Sequence, residues 1–152
     1  MSKTVFGFDK PEDSAGFLLW QTTMTWQRLI KKSLDLYDIS HAQFVILAIT
    51  LWFEKKDKEV SQILIVRQSK LDKMTVSKSL KKLTQLGLIK RAEHKEDTRV
   101  KAISLTKKGR EFASKLVPVV EKIDAEFFGM INKTQRHSLL AILNVLITKI
   151  DE

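Results

Sequence analysis

The 152-residue chain carries 27 Lys and Arg against 18 Asp and Glu, a formal net charge of +9, with 43% hydrophobic and 30% charged residues. This length suits one well-buried core better than two independent domains, and the balance excludes both a disordered chain and a protein built of membrane-spanning helices. Cysteine is absent, which removes disulfides, thiolate metal sites, Cys nucleophiles and thiol-based redox sensing.

The longest apolar run, residues 44–53, is interrupted by Thr50 and falls short of the about 20 residues a bilayer requires. The N-terminal residues lack the apolar stretch of a signal peptide, so a cytoplasmic location is expected. The charge is concentrated. Residues 70–110 hold thirteen Lys and Arg against four Asp and Glu, an excess equal to the net charge of the whole chain. A surface of this kind suits a polyanion, because phosphates attract it and release their counterions when it docks. Double-stranded DNA is the expected partner.

With five Gly and two Pro, few positions break helices, and a mainly α fold is predicted. Phe17, Trp20, Met24, Leu29, Ile30 and Leu34 recur at helical spacing and predict a first long helix over 13–36, capped at Asp13 or Ser14. Ser40-His41-Ala42-Gln43 has the form of a capping box, in which side chains and backbone N–H groups satisfy one another. The helix it opens, reaching residue 54, is apolar on nearly all sides and belongs inside the core. Residues 54–59 read as a solvated connection.

A short helix over 60–68, a turn at 69–71 and a cap at Asp72 lead to a helix over 73–86. Val76, Leu80, Leu83 and Leu86 lie on one side of it, while Met74, Lys78, Lys81 and Gln85 lie on the other. Gly87 stops it. Residues 88–94 and 100–105 suit two strands of a hairpin. Thr106 caps a helix that runs through Phe112, Leu116, Val120 and Phe127, with Pro118 expected to bend it and Gly129 and Asn132 to end it. A final helix from 134 is more apolar than a terminal surface helix usually is. It wants a partner to cover it.

Helix, turn, helix and hairpin is the order of a winged helix, whose second helix enters the major groove while its wing reaches the backbone or minor groove. Ser40-x-x-Gln43-Phe44-x-x-Leu47, Leu71-Asp72-x-x-Thr75-Val76-Ser77, Leu83-x-x-x-Gly87-Leu88-Ile89-x-Arg91, Asp97-x-Arg99 and Leu105-Thr106-x-x-Gly109-Arg110 together resemble the MarR family of bacterial transcriptional regulators. The resemblance spans the chain from first helix to last. It implies a winged helix-turn-helix at 38–108 with a two-stranded wing, and helical dimerisation parts at 10–37 and 109–152, within a single MarR-type domain over 1–152. It further implies a homodimer in which the first, fifth and sixth helices of both chains interlock, each winged helix reading half of a near-palindromic operator. Repression of transcription is the expected outcome, with an effector that releases DNA as an added implication. The chain departs from the family in the loop at 55–59, Lys-Lys-Asp-Lys-Glu, where members often have Gly.

The residues expected to touch DNA are Lys70, Lys73, Met74, Thr75, Ser77, Lys78, Lys81 and Lys82 around the second helix, and Lys95, Asp97 and Arg99 in the wing. Ser and Thr are adaptable partners and Lys mainly contacts phosphate, so base specificity should be modest. By the resemblance, Arg99 enters the minor groove and Asp97 shapes the wing. Each residue also has a plain reading: a solvated helix face, or a turn-stabilising pair at 97 and 99. Trp20, Met24, Tyr37, His41 and Trp52 are candidates to line a pocket for a small aromatic ligand, although core packing also accounts for aromatics at helical spacing.

His41, His94 and His137 have no ligand-like spacing, and neither a metal nor a cofactor is expected. Ser79-Leu80-Lys81-Lys82 matches the Ser-x-x-Lys pattern of serine acylases, but its partner motifs are absent. No phosphate-cradling loop, His-Glu zinc motif or Ser-His-Asp order appears, and an enzyme is not expected. The alternative to a regulator is a sequence-independent architectural DNA-binding protein. It would share the salt dependence but not the preferred sequence.

Overall fold

A computed structural model describes residues 5–93 and 101–150 of the chain. One 3-10 turn at Pro11–Asp13 leads into α1 (Ala15–Asp35), capped by Ser14, whose hydroxyl accepts the Phe17 N–H at 3.2 Å. α2 (His41–Lys55) opens on the expected capping box: Ser40 Oγ accepts the Gln43 N–H at 3.1 Å, and Gln43 Oε1 accepts the Ser40 N–H at 3.0 Å. Phe44, Ile46, Leu47, Thr50 and Leu51 make α2 the buried centre of the molecule. In the loop that follows, Asp57 takes a left-handed conformation, φ 53°. Asp tolerates this region better than most side chains, and so does here what Gly would do.

The strand β1 (Val60–Ser61) precedes α3 (Gln62–Ser69), α4 (Lys73–Gln85), β2 (Ile89–Glu93), β3 (Lys101–Leu105), α5 (Lys107–Phe128) and α6 (Lys133–Ile150). The sheet is antiparallel with order β1-β3-β2; Val60 pairs with Ile103, and β2 pairs with β3 from Ile89–Leu105 to Glu93–Lys101. The expected two-stranded wing is therefore part of a three-stranded sheet, and residues 60–61 are strand, not the start of a helix. The cause is local. Val60 is buried in extended backbone, and Ser61 caps α3 by accepting the Leu64 N–H at 3.1 Å, so the helix cannot begin earlier.

The core joins Ile30 and Leu34 of α1 to Ile46 and Leu47 of α2, Ile65 of α3, Val76, Leu80 and Leu83 of α4, Ile89 and Ile103 of the sheet, and Ala113 and Leu116 of α5. Each large apolar side chain buried this way stabilises the fold by about 1.5–3 kcal/mol before entropy is counted. α5 continues through Pro118 without interruption.

α6 differs. None of its residues is buried, and Leu140, Ile142, Val145, Leu146, Ile147 and Ile150 are all exposed. Its start is held by a second reciprocal cap: Asn132 Oδ1 accepts the Gln135 N–H at 2.8 Å and Gln135 Oε1 accepts the Asn132 N–H at 2.9 Å.

Candidate nucleic-acid interface

The turn between α3 and α4 is shaped by its own side chains. Lys70 ends α3 in a left-handed conformation, φ 59°, with its N–H donated to the Val66 carbonyl at 3.1 Å. Ser69 Oγ accepts the Leu71 N–H at 3.1 Å. Asp72 then caps α4: Oδ1 accepts the Thr75 N–H at 2.7 Å and Oδ2 accepts the Thr75 hydroxyl at 2.8 Å. These hydrogen bonds, the Thr75 backbone one foremost, hold the Asp72 carboxyl below its ordinary range.

α4 buries Val76, Ser79, Leu80 and Leu83, so the helical period places Met74, Lys78, Lys81 and Gln85 opposite, all exposed. Lys73, Ser77 and Lys82 are exposed on the flanks. None of Lys73, Lys78, Lys81 and Lys82 is paired with a carboxylate among the described residues. Thr75 is half-buried with its only donor committed to Asp72, leaving lone pairs as its remaining polar capacity. Ser79, the serine of the Ser-x-x-Lys coincidence, is a buried residue of α4, 7% exposed.

In the sheet, Lys90 and Arg91 of β2 and Lys101 of β3 are exposed. Lys95, Asp97, Arg99 and His94 lie outside the described residues.

Other basic residues of the 70–110 stretch hold the module together. Thr106 caps α5 by accepting the Gly109 N–H at 2.9 Å while donating its hydroxyl to the Gly87 carbonyl at 2.6 Å. Lys108 Nζ donates to the Leu86 carbonyl at 3.0 Å, at the C-terminal end of α4. Glu54 Oε1 accepts the Leu105 N–H at 2.9 Å and Glu54 Oε2 the Arg110 guanidinium at 3.2 Å. Glu54, expected in a solvated connection, thus links α2, β3 and α5. Gly109 packs on the backbone of Leu88, where an added Cβ would lie 1.8 Å from the carbonyl oxygen. The Leu-Thr-x-x-Gly-Arg sequence is the joint between the wing and α5.

The five pocket candidates do not converge. Trp20 is 62% exposed on α1, and Trp52 is equally exposed with Lys56 Nζ 5.2 Å from its ring centroid. Met24 and Tyr37 are half-buried, Tyr37 beneath Lys115 Nζ at 5.2 Å. His41 alone of the five lines a cleft of about 580 Å³ between α1, α2 and the end of α4, with Gln27, Lys31, Asp35 and Lys82 among its walls. The aromatic partner of His41 is Trp26, whose ring stands edge-on at 5.2 Å and whose indole N–H donates to Asp124 Oδ1 at 2.7 Å. Burial lowers the His41 pKa, opposed by the nearby Asp124 charge. Trp26 was legible in principle, since it precedes Ile30 and Leu34 by four and eight residues on the buried stripe of α1. Among the described residues no group of His, Asp and Glu could hold a metal, and no helix is long and apolar enough to cross a membrane.

Residues 35–122 match an ArnR1-like winged-helix domain. The HTH-type transcriptional regulator YdcH of Bacillus subtilis is 37% identical over 128 residues, covering 84% of this chain and 87% of that protein. Among solved structures, Bordetella bronchiseptica BpsR, whose DNA binding is regulated by 6-hydroxynicotinic acid, superposes with a TM-score of 0.81 at 23% identity, covering 92% of this chain and 97% of that one. The S. aureus MepR–DNA complex gives 0.79 at 19% identity, over 90% and 98% of the two chains. MarR from E. coli gives 0.70 at 19% identity, over 88% and 96%.

Proposed function

The chain belongs to the MarR family of winged helix-turn-helix transcriptional regulators, and from that premise we propose that it binds a near-palindromic operator as a homodimer and represses transcription. The observation that carries this reading is the face of α4 opposite its buried side, where Met74, Lys78 and Lys81 stand exposed and the lysines lack carboxylate partners among the described residues. Lys73, Ser77 and Lys82 flank it, Thr75 stays close enough to accept a hydrogen bond, and Lys70 lies in the turn before it. Phosphate contacts by these lysines set the register, and base edges are met by the first turns of the helix. In the wing, Lys95 contacts DNA, while Asp97 and Arg99 take the roles implied by the family pattern, with Arg99 entering the minor groove. Residues 38–108 form the reading part, and 10–37 with 109–152 the dimerising part.

Two copies are needed because α6 has no cover of its own, and the apolar side chains along its length call for burial. Polymerase exclusion then follows from occupancy of the operator. An effector that releases DNA would occupy the cleft lined by His41, Lys31 and Lys82, where both the dimerising helix α1 and the reading helix α4 contribute to the wall. Trp26, edge-on to the His41 ring at 5.2 Å, makes tryptophan fluorescence the reporter: salicylate-like compounds quench it if they bind, and no quenching at millimolar ligand removes support for the effector.

The sequence-independent architectural reading shares the cationic face but not the two-fold arrangement. At fixed salt, Arg99→Ala is expected to weaken binding to a preferred duplex more than Lys107→Ala does. Equal losses would count against the assigned wing contact.

A further inference from the structure

We propose that Met74 is a specificity-determining residue that reads a thymine methyl group in each half-site, so that the preferred duplex carries thymine at the position facing it. The inference rests on the reading that α4 enters the major groove. At the start of α4 the groove-facing chemistry is narrow. Lys73, Ser77 and Lys78 are polar or cationic, and the Thr75 hydroxyl hydrogen is committed to Asp72 at 2.8 Å. Met74 is the one large apolar side chain on this face, 69% exposed, one turn before Lys78 and opposite Val76 and Leu80 in the core. Its exposure is not relieved by its own chain.

The major groove presents one apolar group, the thymine C5 methyl, alongside its donors and acceptors. An unbranched thioether can follow the groove floor and bury against that methyl, and its polarisable sulfur adapts to small shifts in docking. α4 has no Arg and no Asn, and its one Gln stands at the last position, Gln85, away from the first turns that meet base edges. Within α4, therefore, the Arg–guanine pair and the Asn or Gln pair with adenine are missing from the reading end. A methyl contact supplies discrimination that the lysines, as mainly phosphate contacts, do not.

The test uses the full chain and a pool of duplexes with a randomised centre. The wild type is used to select a preferred duplex, and each thymine of that duplex is then replaced in turn by deoxyuridine, which deletes the methyl and leaves pairing intact. We expect one position per half-site to weaken binding by roughly fourfold, the size of burying one methyl-sized group. Met74→Ala should bind the thymine and deoxyuridine duplexes equally, while Met74→Leu keeps a preference for thymine. Because Met74 is exposed, both variants should unfold at the wild-type midpoint. The assignment is overturned if the methyl dependence persists in Met74→Ala, or if no deoxyuridine substitution matters although the wild type still prefers its selected duplex, in which case α4 reads DNA by other means. Failure to select any preferred duplex would overturn the operator reading itself, and this inference with it.

Discussion

The Trp26 indole N–H donates to Asp124 Oδ1 at 2.7 Å, tying α1 to α5 beneath the first residue of α2. The His41 ring stands edge-on to the same indole at 5.2 Å, so one small cluster joins the helix that opens the winged helix to both of the long flanking helices. Asp124 faces His41 across it, and Lys31, Asp35, Asp38 and Lys82 share its cleft.

Burial keeps the folded-state pKa of His41 below 6.5, the Asp124 charge offsetting part of the shift. Between the folded pKa and 6.5 the unfolded chain binds more protons, so stability rises with pH through that window and is lost as pH falls below 6.5. Urea midpoints measured at about pH 7.5 and about pH 5 should therefore differ more for the wild type than for His41→Gln. Asp124→Asn should lower the His41 pKa further, which NMR titration of the imidazole reads directly. Trp26→Phe leaves the half-buried carboxylate without its donor and should cost about 1–2 kcal/mol.

Gly109 is required by contact. A Cβ there would lie 1.8 Å from the Leu88 carbonyl oxygen, and backbone cannot yield as a flexible side chain can. Gly109→Ala should push α5 from the Leu88 backbone and destabilise by about 3 kcal/mol or more in denaturant unfolding. Gly16, in the first turn of α1, has open space around it, so Gly16→Ala should stabilise by about 0.5 kcal/mol. Equal effects of the two substitutions would contradict the packing at Gly109.

Glu54 accepts from the Leu105 N–H at 2.9 Å and from Arg110 at 3.2 Å, with its side chain 22% exposed against 52% for Arg110. Removing the carboxylate strands a backbone donor at a buried residue, whereas removing the guanidinium breaks only a solvent-screened pair. Glu54→Ala should cost about 1–2 kcal/mol and Arg110→Ala less than about 1 kcal/mol. The reverse order in thermal unfolding would show that the ion pair, not the Leu105 hydrogen bond, holds the joint.

Leu140→Asp combined with Leu146→Asp should shift the protein toward monomer in sedimentation equilibrium, since each places a charge on the apolar face of α6, at about 2 kcal/mol or more per site if that face is buried between copies. Helical content should be retained, because neither residue is buried in its own chain. A dimer that survives both substitutions would move the interface elsewhere.

Local chemistry was the legible part of this chain. The caps at Ser40, Asp72 and Thr106, and the positive φ of Gly87 at 73°, depend on residues within a few positions of one another, and the apolar stripe of α4 depends on one period. What depends on partners distant in sequence was not legible. β1 is two residues long and is a strand only because Val60 meets Ile103. Glu54 reads as one acid in a charged run until Leu105 and Arg110 arrive beside it, and Trp26 acquires its role from Asp124, which is 98 residues away. The cap at Asn132 and Gln135 is equally local, but in sequence Asn132 reads as well as a helix end. Aromatic and apolar character groups Trp20, Met24, Tyr37 and Trp52 with His41, but Trp20 and Trp52 each stand 62% exposed in the chain.

Reading of a defined sequence by a symmetric dimer is tested most directly by titrating the purified protein, at physiological salt, against the DNA upstream of its own gene and against a scrambled duplex of equal length, with stoichiometry measured on both. Two chains per duplex and a preference of about a thousandfold or more for the upstream DNA is the predicted result. Equal affinity for the two duplexes, or one chain bound per site, would contradict it.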